Sequence, residues 1–273
     1  MKIGAVNTVY TAFGAGGPVL VGYLPAGFPD KQTAIDAGIA MARAGAGIIE
    51  LGLPYSDPLI DGPVIAAAVH KALLNGTKIR DVFDTVEAIA STGTPVLVMT
   101  YWNPVVQYGI ANFASDLAKA GGAGLITPDL APEEAGPWLD ASDDHDLDRV
   151  FLVAPSTTSE RIATITRHCR GFVYAASLMG ITGARAAVSE HAREVVARTR
   201  EHTTLPVGLG LGVSTAEQAA EVATYADGVI VGSAFVRRIG AAPDPAAAVQ
   251  AAGDLAAELS AAVQRETAPG KTR

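Results

Sequence analysis

The sequence predicts an α/β protein that forms one domain over residues 1–273, a closed (β/α)8 TIM barrel. Eight short apolar runs recur, and each is followed by a polar or alanine-rich stretch with helical character. Most runs are continuously apolar, as expected of parallel strands that are covered on both faces. The eightfold alternation favours a closed barrel, with a doubly wound open sheet as the alternative. The predicted strands cover residues 19–24, 47–53, 95–101, 124–128, 149–154, 172–176, 206–211 and 228–232.

Helical spacing or capping signals lie between these runs, over residues 30–44, 79–91, 189–201, 214–225 and 245–265. Ser214, followed three residues later by Glu217, predicts a capping box at the start of one helix. Asp244 and Pro245 predict the N-cap and the first residue of the last helix. The chain has no recognisable domain boundary, and residues 267–273 are expected to fray.

The composition restricts which ligands the protein is expected to bind and where in the cell it is expected to lie. Twenty basic and 28 acidic residues leave a net charge of −8, which argues against nucleic-acid binding. A small anion is still possible, because backbone amides at helix N-termini hold phosphate without lysine. The uncharged stretches 3–29 and 88–115 are interrupted by glycine and proline, so we expect no membrane span, and no signal peptide is recognisable. The single Cys169 excludes an internal disulfide and agrees with a cytoplasmic protein.

A carboxylate inside the second predicted strand is the first candidate for chemistry. Glu50 lies between Ile49 and Leu51, so it projects to the opposite face from both, towards the barrel lumen or the helices. A lone buried carboxylate is costly, and near the carboxyl end of a barrel strand it usually belongs to an active site. The alternative is a structural glutamate paired with an inward arginine, but only Arg149 lies on a predicted strand, at its start. Asp61 follows in the next loop, where Asp-Gly-Pro also suits a simple turn.

Two kinds of catalytic site are not expected from the residues. The lysines are absent from the predicted strands, which argues against a Schiff-base mechanism. The five histidines lack metal-ligand spacing, so no metal site is predicted.

The segment from Glu50 to Pro63, ELGLPYSDPLIDGP, resembles the signature of the tryptophan synthase alpha chain family. The resemblance covers nearly the whole chain and continues, in order, through residues 101–104, 128–130, 153–155, Tyr174, 180–183, 208–212 and 232–233. It implies a TIM-barrel carbon–carbon lyase of tryptophan biosynthesis that cleaves indole-3-glycerol phosphate to indole and glyceraldehyde 3-phosphate. It also implies an alpha2beta2 heterotetramer in which a PLP-dependent beta chain receives the indole, with no cofactor in this chain.

The resemblance implies a role for each carboxylate. Glu50 matches the general acid/base and Asp61 the carboxylate that stabilises the ring N–H. The retro-aldol reaction needs a proton on carbon 3 of the ring and an anion near the ring nitrogen. We expect burial to keep Glu50 protonated and the polar loop to keep Asp61 ionised.

The remaining expected site residues surround the substrate. Two glycine-bearing segments, at the ends of the seventh and eighth predicted strands, favour a phosphate site, and Ser233 is expected to cap a helix there. By resemblance the phosphate contacts are Gly183, Gly212, Gly232 and Ser233, and the pocket residues are Tyr23, Tyr101, Asp129, Tyr174 and Ile230. Barrel-core packing is the alternative role for these pocket residues. Tyr23 stands where phenylalanine is usual.

A lid is expected over residues 178–184, with Thr182 closing on Asp61. Leu178 replaces a frequent arginine there, and Ala123 and Ala131 also depart from the family pattern. Three other functions remain open: a stand-alone lyase without a beta chain, a phosphosugar isomerase, and a barrel that has lost catalysis and serves as an allosteric subunit.

Overall fold

The computed structural model describes residues 9–14, 16–177, 185–210 and 212–264, without the side chains of 185–189. Its described strands form one parallel sheet in the order β5-β4-β3-β2-β1-β9-β8-β7-β6. The strands are β1 Val19–Pro25, β2 Ile48–Gly52, β3 Val96–Met99, β4 Gly124–Ile126, β5 Asp148–Val150, β6 Leu152–Val153, β7 Val173–Ala176, β8 Val207–Gly210 and β9 Gly228–Val231.

The short strands β5 and β6 together fill one position of a barrel. Only Phe151 separates them; β5 pairs with β4, and β6 pairs with β7. The Phe151 carbonyl accepts a hydrogen bond from the Tyr174 amide at 3.2 Å, which continues the pairing across the break. The nine segments therefore occupy the eight predicted strand positions, the sheet closes, and the open-sheet alternative is wrong.

Helices fill the connections between the strands. They are α1 Val9–Phe13, α2 Lys31–Arg43, α3 Pro63–Leu74, α4 Ile79–Ala90, α5 Trp102–Tyr108, α6 Ile110–Lys119, α7 Gly136–Asp144, α8 Ser159–His168, α9 Arg185–Arg200, α10 Ala216–Ala223, α11 Ser233–Gly240 and α12 Pro245–Gln264, with a 3-10 turn at Pro132–Glu134. The predicted cap of α12 is confirmed, because the Ala247 amide donates to the Asp244 carboxylate at 2.8 Å. Residues 267–273 lie outside the described residues.

The predicted capping box at Ser214 and Glu217 is wrong by one residue. Thr215 is the N-cap of α10, and its hydroxyl accepts from the Gln218 amide at 3.3 Å. The Gln218 side chain in turn accepts from the Thr215 amide at 3.3 Å. The reason is that α10 starts at Ala216, so its third residue is Gln218.

Alternation along the strands divides the core into two layers. Inward-facing side chains such as Val21, Ile48 and Leu97 fill the lumen, while the residues between them pack against the surrounding helices. Helix α1 covers the amino ends of the strands, because its Phe13 ring lies 5.7 Å from Phe172 in the lumen. The carboxyl ends therefore form the accessible mouth, where barrel enzymes carry their active sites.

Candidate active site

Glu50 points into the lumen near the mouth of the barrel. It lies on the same face of β2 as Ile48, which packs in the lumen, and it is only 2% exposed. Among the described residues nothing hydrogen-bonds its Oε2. Burial, and secondarily the charge of Asp61, raises the pKa of Glu50 from 4.5 to about 8. Glu50 is therefore a carboxylic acid at neutral pH, one that can donate a proton.

Asp61 lies in the loop between β2 and α3, half-buried above Glu50. The Tyr101 hydroxyl donates to Asp61 Oδ1 at 3.0 Å. Burial raises the pKa of Asp61, and the Tyr101 hydrogen bond opposes that rise. The charge of Asp61 contributes to the raised pKa of Glu50, so the two predicted carboxylates lie close enough to share one site.

Tyr101 is buried and is held by its surroundings on several sides. Its hydroxyl accepts from the Ile60 amide at 3.0 Å, and its ring lies 5.5 Å from the ring of Tyr55. Burial raises its pKa to about 12, so the phenol stays neutral. The next amide, Trp102 N–H, donates to both Asp129 oxygens at 2.9 and 3.1 Å. Tyr101 and Asp129 thus border the site, and the hydrogen bonds described here join them to other residues of the protein.

Two further tyrosines, on β1 and β7, project into the same mouth. Tyr23 on β1 is the register partner of Glu50, and its ring lies against Gly52, where an added Cβ would come within 2.9 Å of ring carbons. The Tyr174 hydroxyl reaches over Gly210, 2.5 Å from where a Cβ would lie. Burial raises the pKa of both phenols well above 10, so both remain neutral hydrogen-bonding groups.

Three of the expected phosphate residues, Gly212, Gly232 and Ser233, follow the ends of β8 and β9. Gly212 follows β8, and its backbone φ of +70° lies in the left-handed region that favours glycine. The expectation that Ser233 caps α11 is wrong, because the N-cap is Gly232 and Ser233 is the first helical residue. A glycine N-cap leaves the first-turn amides without a capping side chain, which suits an anion. Ile230 faces the lumen beside Gly208.

Other sequence-based expectations concern residues away from these strand ends. Thr182, Gly183 and Leu178 lie outside the described residues. Within the described ranges, no group of three side chains is arranged to hold a metal ion, and no lysine lies on a strand. Within the same ranges, every helix is too short or too polar to cross a membrane.

Four residues that were not predicted as site residues also shape the geometry. Gly52 makes room for the Tyr23 ring, and Tyr55, Ile60 and Asn103 hold the segment around Tyr101. The first three lie within the 50–63 segment, so the signal was present in the residues between the carboxylates. Their contacts depend on a loop path that local patterns do not specify.

Comparison with known proteins agrees with this geometry. The family model described as tryptophan synthase alpha chain matches residues 13–264. The tryptophan synthase alpha chain of Acidothermus cellulolyticus is 59% identical over 255 residues, which are 93% of this chain and 95% of that one. A solved structure of Mycobacterium tuberculosis tryptophan synthase has a TM-score of 0.87 at 49% identity, covering 94% of this chain and 98% of that chain.

A more distant structure gives the same match. Tryptophan synthase subunit alpha from Legionella pneumophila is 33% identical and has a TM-score of 0.86, with 95% of this chain and 99% of that chain covered. The family model, a closely similar relative and two solved structures agree over nearly the full length. The chain therefore belongs to the tryptophan synthase alpha chain family.

Proposed function

We propose that this chain is the lyase that cleaves indole-3-glycerol phosphate to indole and glyceraldehyde 3-phosphate in tryptophan biosynthesis. One observation carries the proposal: a buried glutamic acid with an unpartnered oxygen, among the described residues, lies beside a carboxylate that is held by a tyrosine. Family membership agrees with this chemistry. A phosphosugar isomerase would not require this pair.

The first step places a proton on the indole ring. Protonated Glu50 donates to carbon 3, and the ring nitrogen gathers positive charge in the resulting indolenine. Ionised Asp61 accepts a hydrogen bond from the ring N–H and stabilises that charge. The split suits the two environments, since burial keeps the proton on Glu50 while Tyr101 stabilises the Asp61 anion.

The second step breaks the carbon–carbon bond. The Glu50 carboxylate removes the proton from the hydroxyl on the carbon attached to the ring. The C–O⁻ electrons form the aldehyde carbonyl, the C–C bond breaks, and its electron pair returns to the ring and neutralises the nitrogen. Glu50 has given one proton and regained one, so the products are indole, glyceraldehyde 3-phosphate and the original acid.

Substrate binding uses the rest of the mouth. The phosphate is held by the amides at Gly212, Gly232 and Ser233, together with Gly183, where the first turn of α11 favours an anion. The indole ring packs among Tyr23, Tyr174 and Ile230, and Tyr101 and Asp129 border this pocket. As the resemblance implies, we propose Thr182 as the lid residue for Asp61. Both proton transfers use the Glu50 carboxyl group and Asp61 stabilises the charge on the ring nitrogen, so the proposed reaction needs no metal or cofactor in this chain.

We place the chain in the cytoplasm, as a single domain and as the alpha subunit of an alpha2beta2 heterotetramer with a PLP-dependent beta chain. The solved Mycobacterium tuberculosis structures similar to it are described as tryptophan synthase. An apolar patch supports a partner near the mouth, since Leu59, Ile60 and Val106 are 75%, 48% and 45% exposed. They lie on the loop that carries Asp61 and on α5, so a partner could act on the site directly.

The test mixes purified protein with indole-3-glycerol phosphate and measures indole, with and without a beta chain. We expect cleavage that the beta chain accelerates. Equal rates in both conditions would indicate a stand-alone lyase, and no indole in either condition would refute the function.

A further inference from the structure

The contacts of Asp129 and Tyr101 point to a positioning role for both residues. We infer that they act in series: Asp129 holds the start of α5, this fixes Tyr101, and the Tyr101 hydroxyl holds the Asp61 carboxylate in place. The inference rests on the proposed function, because it assigns Asp129 to the support of Asp61 instead of to the substrate.

The first link joins the loop after β4 to the start of α5. Both Asp129 oxygens accept from the Trp102 amide, at 2.9 and 3.1 Å. Tyr101 is the N-cap of α5, but its own side chain makes no capping hydrogen bond. Asp129 therefore does the capping from another connection of the barrel, and its carboxylate restrains the residue that follows Tyr101.

The second link joins Tyr101 to the catalytic loop. A phenol has one proton, and here it is donated to Asp61 at 3.0 Å, while the same oxygen accepts from the Ile60 amide at 3.0 Å. The Tyr101 ring is buried and packs against Tyr55, whose hydroxyl accepts from Asn103 at 3.3 Å. The ring cannot follow a displaced loop without breaking these contacts.

Asp61 depends on these two links because it lies on a loop. Asp61 lies in the segment of residues 53–62, which forms neither helix nor strand, so its position depends on side-chain contacts. Tyr101 also lowers the pKa of Asp61 against the effect of burial. Loosening either link should lower the rate of the chemical step and make Asp61 easier to protonate.

The experiment is a double-mutant cycle on the full chain, with the beta chain present, measuring kcat and KM for indole-3-glycerol phosphate. We expect Asp129→Ala and Tyr101→Phe each to lower kcat on the order of tenfold, with KM nearly unchanged. The double variant should lose little more than Tyr101→Phe alone. Asp129→Asn should restore most of kcat, because its amide oxygen can still accept from Trp102.

One control variant and one further measurement separate a positioning role from general damage to the protein. Asp244→Ala removes a similar helix cap, on α12, and should leave kcat and the pH profile unchanged. The acid limb of the kcat/KM profile should move to higher pH in Tyr101→Phe and in Asp129→Ala, because both weaken the hydrogen bond that favours ionised Asp61.

The outcomes decide between the two roles of Asp129. Losses that multiply in the double variant, or a raised KM with normal kcat in Asp129→Ala, would overturn the series and indicate direct substrate contact. If wild type makes no indole, the proposed function fails, and a carbon-13 NMR titration of Asp61 in the free variants still tests the linkage. An Asp61 pKa unchanged by Asp129→Ala would refute it. If Asp129→Ala does not fold, Asp129→Ser makes the same comparison with a weaker cap.

Discussion

The carboxyl groups of Glu50 and Asp61 share one site but have opposite hydrogen-bond surroundings. Glu50 is enclosed by the barrel, and among the described residues nothing bonds its Oε2, whereas Asp61 accepts from Tyr101 at 3.0 Å. A buried carboxyl oxygen without a hydrogen-bond donor favours the protonated form, and a donor favours the ionised form. The site therefore holds one carboxylic acid, Glu50, and one carboxylate, Asp61. This difference underlies the predictions that follow.

Replacing Glu50 with glutamine should stop turnover. Glu50→Gln keeps the side-chain shape but has no acidic proton, so kcat should fall about 10²- to 10⁴-fold while KM changes little. Steady-state kinetics with indole-3-glycerol phosphate measures both quantities. Glu87→Gln, on the exposed face of α4, is the matched control and should retain wild-type kcat. Substantial activity in Glu50→Gln would remove Glu50 from the mechanism.

The activity should have an alkaline limit. The reaction needs protonated Glu50, whose pKa is about 8 in the free protein. The ratio kcat/KM should therefore fall about tenfold per pH unit above that value. It should also fall in acid as Asp61 takes up a proton, at a pH above the ordinary range of an aspartate because burial raises its pKa. A profile that stays flat to pH 10 would disagree with this assignment.

The raised pKa of Glu50 also predicts how stability depends on pH. The favourable contribution of the protonated group is complete below about pH 4.5 and is lost as the pH rises through about 8. Between pH 5 and 8 wild type should lose roughly 1 kcal/mol of unfolding free energy per pH unit relative to Glu50→Gln. Urea unfolding of both proteins at the two pH values measures this difference. If the unfolding free energies of wild type and Glu50→Gln changed equally between pH 5 and 8, burial would not be holding Glu50 in its acid form.

Gly52 should be intolerant of even a methyl group. A Cβ at Gly52 would overlap the Tyr23 hydroxyl and come within 2.9 Å of its ring, and both residues lie on closely paired strands. Gly52→Ala should cost about 1–3 kcal/mol of unfolding free energy and displace Tyr23 from the mouth. Gly136→Ala, where a Cβ meets nothing within 4 Å, is the control and should be nearly neutral. Thermal unfolding compares the two, and equal midpoints would show that the ring moves aside freely.

Much of the fold followed from local patterns, because parallel strands in a barrel are apolar on both faces and this marks them in the sequence. The alternation predicted that Glu50 faces away from Ile49 and Leu51, and the structure shows that this face is the lumen. Local patterns were less able to predict the first residue of a helix. Ser214 with Glu217 and Thr215 with Gln218 both fit a capping box, and only the position of Ala216 as the first helical residue selects the second.

The contacts around Asp61 could not be predicted from local patterns. Tyr101 is 40 residues from Asp61, and Asp129 is 27 residues from Trp102, so their hydrogen bonds exist only once the barrel has closed. The resemblance marked Tyr101 and Asp129 as pocket residues, whereas the structure adds the loop and helix that they hold. The roles assigned to the site residues remain predictions for the experiments above.

The most direct test of the central claim is the pKa of Glu50 itself in the substrate-free protein. Carbon-13 NMR of labelled glutamate side chains, with Glu50→Gln used to assign the resonance, follows its protonation. The account predicts a midpoint at about pH 8. A midpoint near the ordinary value of 4.5 would mean that Glu50 is ionised at neutral pH, and the proposed proton donor would be lost.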